Sequence, residues 1–321
     1  MSVRLDFSDS KHFTIYPLAD GIFAAISKKG GSSACNAGII DLGDTCLVFD
    51  PFLTPSAAED LRQSVKDLVG YNPDFVVNSH YHNDHIWGNQ VFKLPVHIVA
   101  SMRTYQLMMT AGKKELDEET ATAAQSLAHF QDQYQKTEDG IQRIDAELLI
   151  GLYEGLVQDL PLLSVRLPDI IYQDRLSFHG IKRSAELISY DQCHTGNDAL
   201  LFLPEDGIIF MGDLLFVGCH PYLGDGDPTN LVKTLREIRN FKATRFVPGH
   251  GLLGTMADLD LMIEYTESCL ETAQALVKEG RADKEAIDAM PVPEQYKHWH
   301  LAMFYQANLR ALCGHLTSDE N

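Results

Sequence analysis

Basic residues are scarce in this chain: 26 Lys and Arg stand against 45 Asp and Glu over 321 residues, a formal charge of −19. Nucleic acid and anionic membrane both demand a basic surface, so neither is expected as a partner. Polyanionic substrates are disfavoured for the same reason, although a bound metal inverts the local field. The plain consequence of the acidity is solubility. No apolar run approaches the length of a membrane-spanning helix. Cys-x-x-Cys pairs are absent, and the six cysteines at 35, 46, 193, 219, 269 and 313 are dispersed. A chain of this length needs no disulfide framework, so reduced thiols in a cytoplasm are expected. Met1-Ser2-Val3-Arg4-Leu5-Asp6 shows no basic-then-apolar signal pattern, which agrees with a cytoplasmic location. Repeats and low-complexity tracts are missing too. What remains, 45% hydrophobic and 22% charged, is ordinary globular composition with material for a large core.

The order of elements points to an α/β protein. Phe13 to Tyr16, Ile22 to Ile26, Asn36 to Asp41 and Cys46 to Asp50 read as strands, the last two joined by a turn at Leu42-Gly43-Asp44. Pro55 to Leu68 has helical spacing with Ser56 as an early cap, and Phe75-Val76-Val77 is a buried strand. Residues 101–165 differ, being rich in Ala, Gln, Glu, Leu and Met, and predict two or three long inserted helices. A structural hairpin is the favoured role. In the alternative, a lid, Met108, Met109, Phe130 and Tyr134 would form a pocket wall. Strands return after Pro168, with a hairpin at Glu205-Asp206-Gly207. Helices follow over Leu231 to Phe241 and from 258 to 315. The repeated order predicts a four-layer αβ/βα sandwich of two sheets between helices, one domain over 1–321 carrying the helical insertion.

The chemistry concentrates at His80-Tyr81-His82-Asn83-Asp84-His85, directly after the strand at 75–77. Three imidazoles and a carboxylate in six positions suit a divalent metal. A core has little use for them, since each buried imidazole needs its own hydrogen-bond partner. His194, Asp213 and His250 occupy matching contexts, each at the end of an apolar strand. That is where α/β folds place their chemistry. The remaining histidines, 12, 97, 129, 179, 298, 300 and 315, lack such contexts and read as structural or surface residues.

These motifs resemble the metallo-β-lactamase fold superfamily of hydrolases: Asp50 after Leu47-Val48-Phe49, the His80-x-His82-x-Asp84-His85 cluster, His194, Asp213, and His250 within Pro-Gly-His-Gly, all in family order. The resemblance implies one metal on His80, His82 and His194 and a second on Asp84, His85 and His250. Asp213 would bridge the two and Asp50 would orient ligands. It implies two zinc ions, with manganese or iron compatible with the same ligands. A hydroxide between the zinc ions would attack an ester, thioester, lactone or amide carbonyl of a small-molecule substrate. Asp84 and Asp213 are the catalytic carboxylates in this scheme. Cys193, beside His194, has no base assigned to it and reads as inert.

Within the superfamily, histidine at 82 separates the chain from the diiron flavoproteins, which usually carry glutamate there. Aspartate at 213 separates it from true β-lactamases, which usually carry cysteine or serine. The glyoxalase II pattern His-Thr-Pro-Gly-His is replaced by His194-Thr195-Gly196-Asn197-Asp198, so the likeness is to the broader glyoxalase II and lactonase group. Two rival readings are a mononuclear iron oxidoreductase of the same fold, similar to persulfide dioxygenases, and a non-catalytic metal-binding protein. The stretch Gly218 to Pro228 follows the Asp213 motif, which makes His220 and Tyr222 candidate pocket residues, with Asp227 or Thr229 capping the next helix. His298-Trp299-His300 and Phe304-Tyr305 read as core packing in a helical C-terminal pattern, with a cap over the pocket or a dimer interface as the alternatives, and an oligomer is compatible with the sequence.

Overall fold

Alternating apolar residues on short strands build two sheets that share one buried seam. The structure, a computed structural model, describes residues 10–138 and 140–318. Met1 to Asp6, read above for a signal pattern, lies outside the described residues. The first half contains strands β1 (Phe13–Ala19), β2 (Ile22–Ser27), β3 (Ala37–Asp41) and β4 (Cys46–Phe49), helix α1 (Pro55–Val69), strand β5 (Phe75–Val77), the short helix α2 (Asn83–Ile86) and strand β6 (His97–Ser101). Helices α3 (Met102–Met109), α4 (Ala111–Lys136) and α5 (Gly140–Asp159) form the insertion. Strands β7 (Ile170–Tyr172), β8 (Arg175–His179), β9 (Ser184–Asp191), β10 (Asn197–Leu203) and β11 (Ile208–Val217) follow. Helix α6 (Pro228–Ile238), strand β12 (Arg245–Gly251) and helices α7 (Met256–Lys278), α8 (Lys284–Asp288) and α9 (Met303–Ser318) complete the described elements.

One sheet has seven strands in the order β1 to β7, and the other five in the order β12-β11-β10-β9-β8. Strand periodicity explains the layers. On β4, Leu47 and Phe49 enter the seam between the sheets with Leu187, Leu201, Phe210 and Val247. Cys46 and Val48 point the other way, onto Ala57, Ala58, Leu61 and Val65 of α1. On the second sheet, Leu201 and Leu203 face the seam while Leu200 packs toward α6, α7 and α9 through Leu231, Met262 and Leu309. The mixed α/β sandwich expected from the sequence is the one observed. The cap of α1 differs from the expectation: Thr54, not Ser56, accepts from the Ala57 amide. Proline at the first helical position forces the capping residue to precede it. For α6 the cap is Asp227, which accepts from the Thr229 and Asn230 amides.

The insertion docks by close backbone approach. A Cβ on Gly151 of α5 would stand 2.5 Å from Gly30, and one on Gly155 would stand 2.3 Å from the Ser32 side chain. These glycines let α5 lie against the loop before β3. Of the proposed lid residues, Met108 is buried with Trp87 and Leu156, whereas Met109 is exposed. Phe130 stacks on Tyr153, and Tyr134 takes the Arg143 guanidinium over its ring at 3.9 Å. All six cysteines are unpaired and buried. No helix among the described residues is long and apolar enough to cross a membrane.

Candidate metal centre

The loop after β5, the turn between β9 and β10, and strands β11 and β12 converge on one point. His80 follows β5, and α2 carries Asp84 and His85 one turn later. His194 lies in the turn between β9 and β10. Asp213 and His250 were expected just after their strands, but β11 and β12 run on through them. The reason is a break in pairing register at Gly212, whose φ of 51° lets β11 bend around the site without ending. The backbone here is tight, and a Cβ on Gly249 would meet Asp213 Oδ1 at 1.9 Å.

All seven residues singled out as metal ligands are brought together. Asp213 Oδ2 lies 3.2 Å from His194 Nε2, 3.4 Å from His250 Nε2 and 3.9 Å from His80 Nε2. Its Oδ1 is 3.2 Å from His85 Nε2. Asp84 Oδ2 is 3.3 Å from His250 Nε2 and 3.6 Å from His85 Nε2. Potential ligand atoms of His80, His82, His194 and Asp213 fall within 4.8 Å of one another, and so do those of His85, Asp213 and His250. Asp213 belongs to both sets.

The outer faces of His80, His82 and His85 are tied down. Asp50, fully buried, accepts from the Ser79 amide at 2.8 Å, the Ser79 hydroxyl at 2.7 Å and His85 Nδ1 at 2.8 Å. With its proton committed to Asp50, the Ser79 hydroxyl accepts from His80 Nδ1 at 2.9 Å. His82 Nε2 lies 3.2 Å from Asp225 Oδ2, which also accepts from the Tyr81 hydroxyl. Each ring is thereby turned so that its free nitrogen points inward. His80 Nε2, His85 Nε2 and Asp213 Oδ1 are buried and have no hydrogen-bond partner. Orphaned buried acceptors are costly, and a cation among them would satisfy all three. Burial holds His80 well below its ordinary pKa and pushes His194 down to about 4, which keeps their lone pairs free. Burial opposes a charge on His250, but the Asp213 and Asp84 carboxylates outweigh it and carry its pKa up to about 10.

A cavity of about 360 Å³ opens over the cluster. Tyr222 lines it as expected. His220 does not: its ring is buried against Tyr265, Trp299 and Tyr305, and Nδ1 lies 2.9 Å from the Tyr265 hydroxyl. The cause is the backbone, since the His220 amide donates to the His300 carbonyl and draws this loop beneath the C-terminal segment. None of Met108, Met109, Phe130 and Tyr134 lines the cavity. The insertion contributes Leu148, Leu149, Leu152, Tyr153 and Leu156 of α5 and Glu115 and Glu119 of α4 instead. Phe304, read as core, also lines the cavity with Leu301, while Trp299 and Tyr305 are core as expected.

Asp225 escaped the sequence reading because the Gly and Asp density around it looks like an ordinary turn. Cys35 escaped because it precedes its strand alone, yet its thiol donates to the Asp84 carbonyl at 2.9 Å. Glu115 and Glu119 carried no motif at all, and burial pushes the Glu115 carboxyl up to about 7. Backbone strain gathers at this site. Ala34, Asp50, Phe52 and Leu301 all have φ between 55° and 71°.

Residues 30–250 match the family model of the metallo-beta-lactamase superfamily. Solved structures share the fold. A metallo-beta-lactamase from Pontibacter korlensis aligns with a TM-score of 0.57 at 17% identity, over 79% of this chain and 99% of that one. The metallo-beta-lactamase FIM-1 from Pseudomonas aeruginosa, in its mono-zinc form, aligns with a TM-score of 0.56 at 16% identity, over 80% of this chain and 96% of that one. No curated protein matches the chain.

Proposed function

The chain belongs to the metallo-beta-lactamase superfamily, and from that footing we propose that it is a zinc-dependent hydrolase of an ester, thioester, lactone or amide carbonyl. The observation that carries the reading is the convergence of buried, partnerless His80 Nε2, His85 Nε2 and Asp213 Oδ1 beneath an open cavity. In this reading His80, His82 and His194 hold one ion, and Asp84, His85 and His250 hold the second. Asp213, common to both sets, stands between them. When bound, such ions polarise a carbonyl and lower the pKa of a water to about 7. The side chains supply the rest. Ser79 and Asp50 fix the tautomers of His80 and His85, and Asp225 fixes that of His82. Asp84 Oδ2, 3.3 Å from His250, is the carboxylate placed to hold a proton released at the centre. The apolar walls above keep bulk water from competing.

Metal analysis and a substrate panel test this together. The expected result is zinc at two per chain, with hydrolysis of at least one carbonyl class. One iron and no zinc would overturn it, as would a zinc-loaded protein inert toward esters, thioesters, lactones and amides. The positioning role of Asp225 is tested by Asp225→Asn. Zinc affinity is expected to fall by about 10- to 100-fold with the circular dichroism unchanged. Unaltered competition against a chelator would remove Asp225 from the scheme.

A further inference from the structure

We propose that the substrate carries an apolar arm without negative charge, seated against the leucine face of α5, and that Glu115 and Glu119 exclude anionic arms. This deepens the hydrolase reading and rests on it. Leu148, Leu152 and Leu156 follow one another at four-residue spacing, so they share one face of α5. That face borders the cavity, and Phe216 and Phe304 line the same space. An amphipathic helix normally turns such a stripe into a core. Here Leu156 joins the core beside Trp87 and Met108, while Leu148 and Leu152 stay partly exposed and border the space above the metal cluster, in a volume suited to a small molecule.

Charge makes the second part of the argument. Among the described residues, no Lys or Arg lines the cavity. An anionic arm would find no counter-charge there away from the metal cluster. It would find two acids. Glu115 and Glu119 sit four residues apart on α4, both border the cavity, and Oε2 of each is buried with no hydrogen-bond partner. In a space walled by leucine these carboxyls repel an anion when ionised and offer it no cation when neutral, and they accept hydrogen bonds from an amide or hydroxyl.

Three nitrophenyl esters test this on the zinc-loaded protein: acetate, hexanoate, and the adipate half-ester that ends in a carboxylate. The kcat/KM is expected to rise from acetate to hexanoate by about fourfold per methylene buried. The adipate should fall below the hexanoate by at least about tenfold. Glu115→Gln/Glu119→Gln should narrow that gap, and Leu152→Asn should flatten the chain-length dependence. Equal rates for hexanoate and adipate, or no rise with chain length, would overturn the proposal. Calorimetry with the methyl ketones 2-heptanone and 6-oxoheptanoate, which carry the same two arms and no hydrolysable bond, separates the two claims. Preferential binding of the neutral ketone without turnover of any ester, thioester, lactone or amide supports the pocket assignment and removes the hydrolase reading. Binding of neither, or of the anion more tightly, overturns the pocket assignment itself.

Discussion

Asp213→Ala will lose metal and, with it, turnover. The carboxylate stands within 3.2–3.4 Å of His85, His194 and His250 and within 3.9 Å of His80. It is the one anion shared by both candidate ligand sets. Without it, five imidazoles face one another with only Asp84 to balance two cations. Charge stabilisation by bound metal supplies several kcal/mol to such reactions, so kcat is expected to drop at least about a thousandfold. Asp213→Glu should not rescue it. Gly249 packs so closely on the carboxylate that even a Cβ there would overlap Oδ1, and a longer side chain at 213 has nowhere to retreat. Metal content and kcat are measured side by side, with circular dichroism to confirm folding. Retention of two metals and full activity would show that Asp213 is not the shared ligand.

The frame of this centre was legible in the sequence because each part has a local signature. A three-residue apolar strand leads into His80, and paired glycines flank His250. The layers were legible from period-two alternation, as on β4, where neighbours serve opposite faces. What was not legible depends on contacts remote in sequence. Asp225 reaches His82 across 143 positions, and Cys35 reaches Asp84 across 49. His220 looked like a pocket residue because it follows Asp213 closely. Its burial is decided by the His300 carbonyl, 80 residues away, and by the ring of Tyr265. Likewise the cavity wall came from leucines on α5 instead of the methionines and aromatics of the same insertion. Which stripe faces the site depends on how Gly151 and Gly155 seat the helix, and periodicity alone carries no such information.

Asp50→Asn should separate orientation from charge, and its effect follows from hydrogen-bond polarity. Asp50 sits at φ 55°, a conformation that asparagine adopts readily, so the backbone should be unaffected. The wild-type carboxylate accepts three hydrogen bonds, two from Ser79 and one from His85 Nδ1. An asparagine keeps an oxygen for the Ser79 amide at the Oδ1 position but places its NH2 at the Oδ2 position, which faces both the Ser79 hydroxyl and His85 Nδ1. That donor needs an acceptor, so Nδ1 must give up its proton and Nε2 must take one. His85 Nε2 is the nitrogen that faces Asp84 and Asp213, and once protonated it cannot ligate. The variant is therefore expected to keep its fold while the second ion binds about 10- to 100-fold more weakly. Asp50→Ala should behave differently. It leaves the Ser79 donors unsatisfied in a buried site, which costs about 1–3 kcal/mol for each such group, so stability falls along with affinity. Chelator competition resolves the two sites, and nitrogen chemical shifts of the imidazoles report the His85 tautomer directly. An Asp50→Asn protein with wild-type affinity at both sites and an unprotonated His85 Nε2 would show that the carboxylate does not set the ring.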